Sequence, residues 1–330
     1  MRWSHPAVPA ALALAVLAAC GGERVPPASA SVTPTPSGPK PVEILATVTV
    51  GNDPIGIAAG AGDLWVVNAE VNGHAGSVSR IDPATNEVVA TIPVGAVPLE
   101  VAVGAGSVWV SNSGDDTVSR IDPATNTVTG TIAVCAAPEG IAIGGGGVWV
   151  VCEDDDAVGL IDPSRDKLVG RVSVGRQPRF AIYAADSVWV SAYLGSTVTR
   201  IDPHSHRVLA TTPTDFSPQV MTGFAGKVWV TNLDGNTVTE IDPATNRVVG
   251  SVDTEVSPDG IVPTAGSLWI ATDYGPLLQR IDPATGTVTG TFVVSDQGSI
   301  NANQLVAAAE GDLWFPLLDA GTVVRVAIPD

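Results

Sequence analysis

The chain has 330 residues, of which 45% are hydrophobic and 15% charged, and its formal net charge is −18. Nucleic-acid binding depends on Lys and Arg side chains that displace phosphate counterions, so this acidic composition argues against a nucleic-acid partner. A basic partner, a metal cation or a neutral ligand is compatible with the charge, which also favours solubility of an exported protein.

Residues 1–19 predict a lipoprotein signal peptide. Arg2 supplies a positive charge, and residues 7–19 form an apolar run that is too short to span a bilayer but typical of a signal-peptide core. The run ends in Leu17-Ala18-Ala19-Cys20, which resembles the bacterial lipobox, whose cysteine becomes the lipid-modified first residue. An ordinary secretory signal is the alternative. We therefore expect an extracytoplasmic lipoprotein of a bacterial cell envelope, anchored to the membrane through Cys20.

Residues 20–41 contain the lipidated Cys and a linker. The segment is rich in Pro, Ser, Thr and Gly and shows no hydrophobic period. Such a composition favours a flexible tether. We expect this linker to hold the domain formed by residues 42–330 away from the membrane.

Past residue 41 the sequence repeats a unit of about 40 residues. Each unit contains a Trp that follows an apolar residue and precedes Val, Ile or Phe. The seven tryptophans at this position are Trp65, Trp109, Trp149, Trp189, Trp229, Trp269 and Trp314. An Ile-Asp-Pro sequence follows in all units but the last, beginning at Ile81, Ile121, Ile161, Ile201, Ile241 and Ile281.

Within one unit, four apolar stretches separated by turn residues predict four antiparallel strands, a to d. In the second unit these stretches cover residues 99–103, 107–111, 117–121 and 127–134. Four-stranded units of this length predict an all-β fold, a seven-bladed β-propeller.

The two ends of the chain predict how the ring closes. Residues 42–50 match strand d of the other units, whereas the last unit stops after its strand c, near Val326. We therefore predict that the N-terminal strand completes the last blade, which leaves the ring without an unpaired edge.

The pattern Leu/Val-Trp-Val followed by Thr-Val-Ser-Arg-Ile-Asp-Pro-Ala-Thr-Asn, as in residues 117–126, resembles the YVTN or YncE-like β-propeller repeat family. The resemblance covers most of residues 42–330 and implies binding or scaffolding more than chemistry. Some YncE-like proteins carry a nucleic-acid-binding label, which the acidic charge opposes. Streptogramin (virginiamycin B) lyases are similar seven-bladed propellers and imply an enzymatic alternative.

Strand connectivity sorts the turns onto two faces. The a–b and c–d turns share one face, here called the regular face, and the b–c and d–a turns share the other, the variable face. Both insertions, around residues 71–74 and within residues 295–303, fall on the variable face. Variable loops on a rigid scaffold usually carry the binding function.

On the variable face, each strand a begins with a residue that we expect near the mouth of the central channel. These residues are Ile55, Leu99, Glu139, Arg179, Gln219, Asp259 and Gln304. Most are polar and differ from one another, whereas a purely structural ring would keep one residue type. Converging Glu, Arg, Gln and Asp side chains are suited to a small polar ligand or a cation, and a channel lined with solvated polar groups is the alternative. The candidate ligand-binding residues are Glu100, Glu139, Arg179, Gln219, Asp259 and Gln304.

The sequence predicts no dedicated metal site or cofactor, although a divalent cation is possible near the acidic loops 115–116 and 153–156, which lack the spacing of an EF-hand. The repeated Asp of Ile-Asp-Pro is interpreted as a turn residue. The lyase resemblance implies a histidine and glutamates holding Mg²⁺ at the channel mouth. His74 lies on the variable face with Glu70 as its nearest carboxylate, whereas His204 and His206 lie on the regular face.

No nucleophile elbow, phosphate loop or zinc-protease motif occurs in the sequence. The sequence therefore favours a cell-surface binding or scaffolding module, monomeric, for a small molecule or an envelope protein. A metal-dependent lyase or hydrolase is the alternative.

The two remaining cysteines predict a disulfide. Cys135 replaces the Gly that follows strand d in other units, as at Gly95, and Cys152 replaces the Asn found at Asn112. Both fall on the variable face of a protein expected in an oxidising compartment. Two free buried thiols are the alternative.

Overall fold

The computed structural model describes residues 39–70, 75–255, 257–273, 277–294, 306–307 and 311–329. These residues form seven sheets arranged as the predicted all-β propeller. Within these ranges, the only helical element is a single 3₁₀ turn, Leu318–Ala320. The described ranges contain no helix that is long and apolar enough to cross a membrane.

Several predictions concern residues outside the described ranges. They are the signal peptide, Cys20, the linker up to residue 38, the two insertions with His74, and Gln304. These predictions stay predictions.

Each of the first six blades contains four consecutive antiparallel strands, in the order a to d. Blade 1 contains β3 (Pro54–Gly60), β4 (Asp63–Asn68), β5 (Ala75–Asp82) and β6 (Glu87–Ala96). Blade 2 contains β7 (Pro98–Gly104), β8 (Ser107–Asn112), β9 (Thr117–Asp122) and β10 (Thr127–Ala133). Blade 3 contains β11 (Pro138–Gly144), β12 (Gly147–Cys152), β13 (Ala157–Asp162) and β14 (Lys167–Ser173).

The next three blades repeat this arrangement. Blade 4 contains β15 (Pro178–Ala184), β16 (Ser187–Ala192), β17 (Thr197–Ile201) and β18 (Val208–Pro213). Blade 5 contains β19 (Pro218–Phe224), β20 (Lys227–Asn232), β21 (Thr237–Asp242) and β22 (Arg247–Asp253). Blade 6 contains β23 (Pro258–Thr264), β24 (Ser267–Thr272), β25 (Leu277–Asp282) and β26 (Thr287–Val293).

Blade 7 is built from both ends of the chain. It contains β27 (Val306–Ala307), β28 (Leu313–Leu317), β29 (Thr322–Val326) and β2 (Ile44–Thr49). Strand β2 pairs antiparallel with β29, from Ile44 opposite Val326 to Thr49 opposite Thr322. The predicted closure of the ring by the N-terminal strand is confirmed.

The structure differs from the sequence prediction just before this strand. A short strand β1 (Lys40–Pro41), within the segment expected to be a flexible tether, pairs in parallel with β26 of blade 6. The N–H of Val42 also donates to the carbonyl of Val293 at 3.0 Å. The chain is therefore bound to blade 6 before it enters blade 7.

The core lies between successive blades, which explains why each unit needs its neighbours. Trp65, for example, is fully buried among apolar side chains of its own blade and of Val101, Val108 and Ile121 in blade 2. Its indole N–H donates to the carbonyl of Gly60 at 3.1 Å. Truncating a buried Trp of this kind to Ala costs about 3–5 kcal/mol.

The Asp of the Ile-Asp-Pro sequence is a turn residue, as interpreted from the sequence. In blade 2 the Oδ1 atom of Asp122 accepts the backbone N–H of Ala124 at 2.8 Å. The turn ends at Asn126, whose φ of 56° lies in the left-handed region that Asn tolerates better than most residues.

The Arg of the repeat joins neighbouring blades on the regular face, a role that the sequence analysis did not assign. Nη1 of Arg80 in blade 1 donates to the carbonyl of Pro123 and to Oδ1 of Asn126 in blade 2, the latter at 2.8 Å. Its guanidinium also stacks on Trp65 at 5.0 Å and pairs with Asp63 at 2.6 Å. Arg120, Arg200 and Arg325 make the equivalent bonds from their own blades.

Where the Arg is missing, its acceptor in the next blade has changed as well. Blade 3 has Leu160 in this position, and the Asn position of blade 4 holds His206, whose ring packs edge-on against Trp149 at 5.7 Å. Blade 5 has Glu240, and the equivalent residue of blade 6 is Gly286. His206 thus has a packing role on the regular face.

Candidate functional site

A cavity of about 330 Å³ lies at the mouth of the central channel, on the variable face. Six blades contribute to its wall, which consists of Ile55, Leu99, Glu100, Glu139, Gly140, Arg179, Phe180, Tyr193, Gln219, Leu233, Asp259 and Asp273. The structure therefore brings together Glu100, Glu139, Arg179, Gln219 and Asp259 from the sequence-predicted set. Gln304 lies outside the described residues.

A bulge at the start of strand a positions these side chains in blades 1 to 6. In blade 3, Pro138 pairs with Cys152 and Ile141 with Val150, so the partner strand has only one residue opposite Glu139 and Gly140 together. The same irregularity follows Pro178, Pro218 and Pro258. A bulge redirects side chains out of the regular alternation of a strand, and here the residue after each proline lines the channel.

A second ring of lining residues was missed by the sequence analysis. It comes from the fourth residue after each Trp and includes Tyr193, Leu233 and Asp273. The backbone N–H of each donates to the carbonyl of the residue before the proline that begins strand a of its own blade, at 2.9, 2.9 and 2.8 Å respectively. The fixed spacing from the Trp was visible in the sequence, but a b–c turn residue gives no sign that it points inward.

Arg179 is the only basic side chain among the described lining residues. Its Nη1 lies 2.7 Å from Oε1 of Glu139, and its Nη2 lies 3.5 Å from Oε1 of Glu153. The guanidinium carbon lies 5.5 Å from the ring centroid of Tyr193. Gln177 donates from Nε2 to the same oxygen of Glu153. The one cation of the wall is thus already shared between two carboxylates.

Three carboxyl groups of the wall, those of Glu100, Glu139 and Asp259, hold their protons more tightly than isolated acids. Burial raises the pKa of Glu139 to about 8, since desolvation outweighs the opposing effect of Arg179, and Glu153 raises it further. Burial, reinforced by the charge of Asp273, raises the pKa of Asp259 to about 8. The pKa of Glu100 is also raised well above its usual range, mainly by burial.

Asp259 has an unsatisfied oxygen within the wall. The residue is 2% exposed, and its Oδ1 has no hydrogen-bond partner among the described residues. Leaving a buried polar atom unpaired costs about 1–3 kcal/mol, so such an atom in a binding cavity is a natural acceptor for a ligand donor.

The carboxylates of the cavity are not grouped as metal ligands. Among the described residues, the only three potential ligand atoms within 4.8 Å of one another belong to Cys135, Cys152 and Asp155. The two sulfur atoms there are bonded to each other, which removes them as thiolate ligands. The acidic groups of the cavity wall are therefore spread around its circumference and do not converge on one point.

The acidic loops beside the cavity have structural partners. Asp115 accepts the N–H of Ala96 at 2.7 Å, and Asp116 accepts that of Ala137 at 3.0 Å. Asp155 pairs with Arg171 at 2.8 Å. These carboxylates stabilise the d–a turns that carry the lining residues.

Cys135 and Cys152 form a disulfide in the structure, with their Cα atoms 5.6 Å apart. In blade 2 the equivalent residues are joined by a hydrogen bond, from the N–H of Gly95 to Oδ1 of Asn112 at 3.1 Å. Cys152 precedes Glu153, which contacts Arg179, so the disulfide also fixes one side of the cavity.

The fold and this cavity define a seven-bladed β-propeller with an acidic pocket at the mouth of its channel. Among solved structures, a streptogramin B lyase matches with a TM-score of 0.71 and 16% identity, over 84% of this chain and 94% of the lyase. A hydrazine synthase of Kuenenia stuttgartiensis matches with a TM-score of 0.72 and 18% identity, over 84% of this chain and 96% of the synthase. At such identities the likeness concerns the fold alone. No protein-family model and no curated protein sequence matches the chain.

Proposed function

We propose that this protein is a binding module that holds a small, positively charged organic ligand in the cavity at the channel mouth. The observation that carries the proposal is the buried Oδ1 of Asp259, which has no hydrogen-bond partner among the described residues. An N–H group of a cationic ligand would satisfy this oxygen with a charge-assisted hydrogen bond.

The charge balance of the wall supports a cation over an anion. Among the described residues, Glu100, Glu139, Asp259 and Asp273 face one cavity with Arg179 as the single cation, and Arg179 is already paired at 2.7 Å. Both Nη atoms of Arg179 are engaged by Glu139 and Glu153, so a ligand carboxylate would find only Nε without a partner among the described residues. An ammonium group would instead pair with carboxyl groups whose pKa is raised, and these groups would release their protons as the cation binds.

The spacing of the carboxylates supports an organic cation over a bare metal ion. Divalent ions need several oxygen atoms converging within their coordination sphere. The described cavity residues offer no such cluster, and a volume of about 330 Å³ exceeds that of one ion. Volumes of this order are typical of small-molecule sites.

The proposal is tested by titrating the purified protein with butylammonium, butyrate and butyramide at pH 8. We expect binding of butylammonium only, weakened at least tenfold by Asp259→Asn. The control Asp186→Asn changes an exposed carboxylate in a turn of the regular face and should leave binding intact. Equal binding of all three probes, or no effect of Asp259→Asn, would refute the proposal.

The lyase alternative remains a hypothesis without a specific supporting observation. No histidine lies among the described residues of the cavity wall. His204 and His206 belong to the c–d turn of blade 4, on the regular face, and His74 lies outside the described residues.

We also propose that the protein is tethered to a bacterial cell envelope through lipidated Cys20, as its N-terminal sequence suggests. Stable anchoring takes two signals, such as two acyl chains. Cys20→Ala should move the protein from the membrane fraction to the soluble fraction. Retention of the variant in the membrane fraction would contradict the anchor.

A further inference from the structure

We infer that the ligand is amphipathic: its ammonium group occupies the acidic cavity, and its apolar part lies on a hydrophobic rim formed by Leu194 and Phe216. The inference rests on the proposed function, because it concerns the class of ligand that the same cavity takes. The evidence for it is the exposure of these two apolar side chains to solvent, which binding of a cation in the acidic cavity would not by itself require.

Leu194 and Phe216 are large apolar side chains placed in solvent on the variable face, 54% and 68% exposed. Phe216 is the most exposed of the large hydrophobic residues described. Isolated exposed apolar residues need no explanation, whereas a contiguous apolar patch marks an interaction site.

The repeat shows that neither residue is required by the blade. Positions equivalent to Leu194 hold Glu70, Gly114, Asp154 and Asp234. Positions equivalent to Phe216 hold Asn52, Ala96, Ala136 and Arg176. Among the described residues, the large apolar side chains at these positions belong to one sector of the ring, at blades 4 and 5, and the blade 6 equivalents, Val256 and Tyr274, lie outside the described residues.

Hydrogen bonds connect this sector to the cavity wall. The hydroxyl of Tyr193, a lining residue next to Leu194, lies 3.2 Å from Oδ2 of Asp234. The same Oδ2 accepts the hydroxyl proton of Ser217, the residue after Phe216. Leu194 and Phe216 are thus chain neighbours of two residues in one hydrogen-bonded unit that includes the lining residue Tyr193.

Two lining residues of the same sector are also apolar. Phe180 and Leu233 lie in the wall of the same sector, whereas Glu139 lies in blade 3 and Asp259 in blade 6. A ligand whose cationic end reaches Asp259 therefore leaves toward solvent past Leu233 and the rim. The wall is thus acidic inside the cavity and apolar toward the rim. An alkyl or aryl ammonium compound matches both parts, whereas a fully hydrophilic cation would leave the apolar side chains of the rim exposed to solvent.

The test uses a series of primary alkylammonium ions, ethyl, butyl, hexyl and octyl, titrated into the purified protein at pH 8. If the rim covers the chain, affinity should rise by up to about fourfold for each added methylene, corresponding to about 0.8 kcal/mol. Leu194→Ser with Phe216→Ser should flatten this dependence and leave ethylammonium binding unchanged. Leu209→Ser with Val249→Ser is the matched control, since these residues are 50% and 52% exposed on the outer d strands.

The outcomes separate the two proposals. If no alkylammonium binds, the proposed function fails. If all bind with equal affinity, or the slope survives Leu194→Ser with Phe216→Ser, the cavity binds cations but the rim proposal is wrong. If the peptide acetyl-Leu-Lys-Phe-amide binds and the alkylammonium series does not, the ligand is a segment of a protein and not a small amine. This result would also overturn the inference.

Discussion

Nη1 of Arg325 lies 3.1 Å from Oδ1 of Asn86, a residue 239 positions earlier in the chain. The same nitrogen donates to the carbonyl of Pro83 at 2.8 Å, and Nη2 pairs with Asp312 at 2.6 Å. This side chain connects the last blade to the first and closes the ring together with the pairing of β2 and β29. It repeats the contact that Arg80 makes from blade 1 to blade 2.

Replacement of Arg325 should therefore destabilise the whole ring. Arg325→Met removes the bonds to blade 1 and leaves Asp312, which is 18% exposed, without its partner. We expect a loss of about 3 kcal/mol in the free energy of unfolding, measured by urea denaturation. Arg165→Met is the control, because Arg165 is 72% exposed and pairs only with a neighbour in its own turn. A loss no larger than that of the control would show that the contact contributes little.

Blade 4 lacks an asparagine that three other blades use. In blade 2, Asn112 donates to Thr117 and Ser119 at 3.0 and 2.9 Å. Blade 4 has Ala192 in this position, and the hydroxyls of Thr197 and Thr199 have no partner among the described residues. Ala192→Asn should supply that partner and raise the free energy of unfolding by about 1–2 kcal/mol.

A double-mutant cycle identifies the source of this gain. In a background carrying Thr197→Val and Thr199→Val, Ala192→Asn has no hydroxyl to bond and should no longer stabilise the protein. Equal effects in both backgrounds, measured by thermal denaturation, would attribute the gain to something other than this network.

The disulfide of blade 3 takes the place of that asparagine. Residues 157 and 159, which carry hydroxyls at the equivalent positions of blade 2, are Ala and Gly here, so an amide would have no acceptor. Cys135→Ala with Cys152→Ala should cost about 3 kcal/mol, as expected for a cross-link that closes a loop of this length. Titration of the non-reduced wild-type protein should find neither thiol free, and two reactive thiols would contradict the bond.

The buried carboxyls make the stability of the empty protein depend on pH. Glu139 and Asp259 have ordinary pKa values of 4.5 and 3.8, and each is raised to about 8 in the folded protein. Between these values the folded state binds more protons than the unfolded state, so stability falls as pH rises, by up to about 1.4 kcal/mol per pH unit for each group. The loss should be complete above the folded pKa.

Urea denaturation between pH 5 and pH 9 checks this sign. Glu139→Gln with Asp259→Asn should flatten the decline, whereas Glu87→Gln with Asp186→Asn, two exposed residues of the regular face, should not. A decline in the cavity variant that is as steep as in the wild type, or steeper, would contradict the raised pKa values.

The sequence predicted the fold well because a blade is a local unit that recurs. The Trp spacing and the strand d at residues 42–50 were sufficient to predict seven blades and the closure confirmed by Ile44 opposite Val326. The strand β1 could not be foreseen, because Lys40 and Pro41 carry no strand pattern and pair through the backbone with an exposed edge.

The cavity was only partly predictable. The residues that begin each strand a differ visibly between units, and Glu139, Arg179 and Asp259 do meet in one wall. Tyr193 and Asp273 were missed because the direction of a b–c turn side chain depends on the bond from its N–H to the neighbouring d–a turn. The raised pKa values depend on burial, which no spacing in the sequence reveals.

Calorimetric titration with butylammonium from pH 6 to pH 9 tests whether the acidic cavity holds a cation. A primary alkylammonium resembles the Lys side chain, with a pKa of about 10.4, and stays charged over this range. Because Glu139 and Asp259 must lose their protons, affinity should rise at least tenfold with pH, and titrations in two buffers of different ionisation enthalpy should show proton release. An affinity independent of pH, with no proton released, would show that these carboxyls do not hold the ligand.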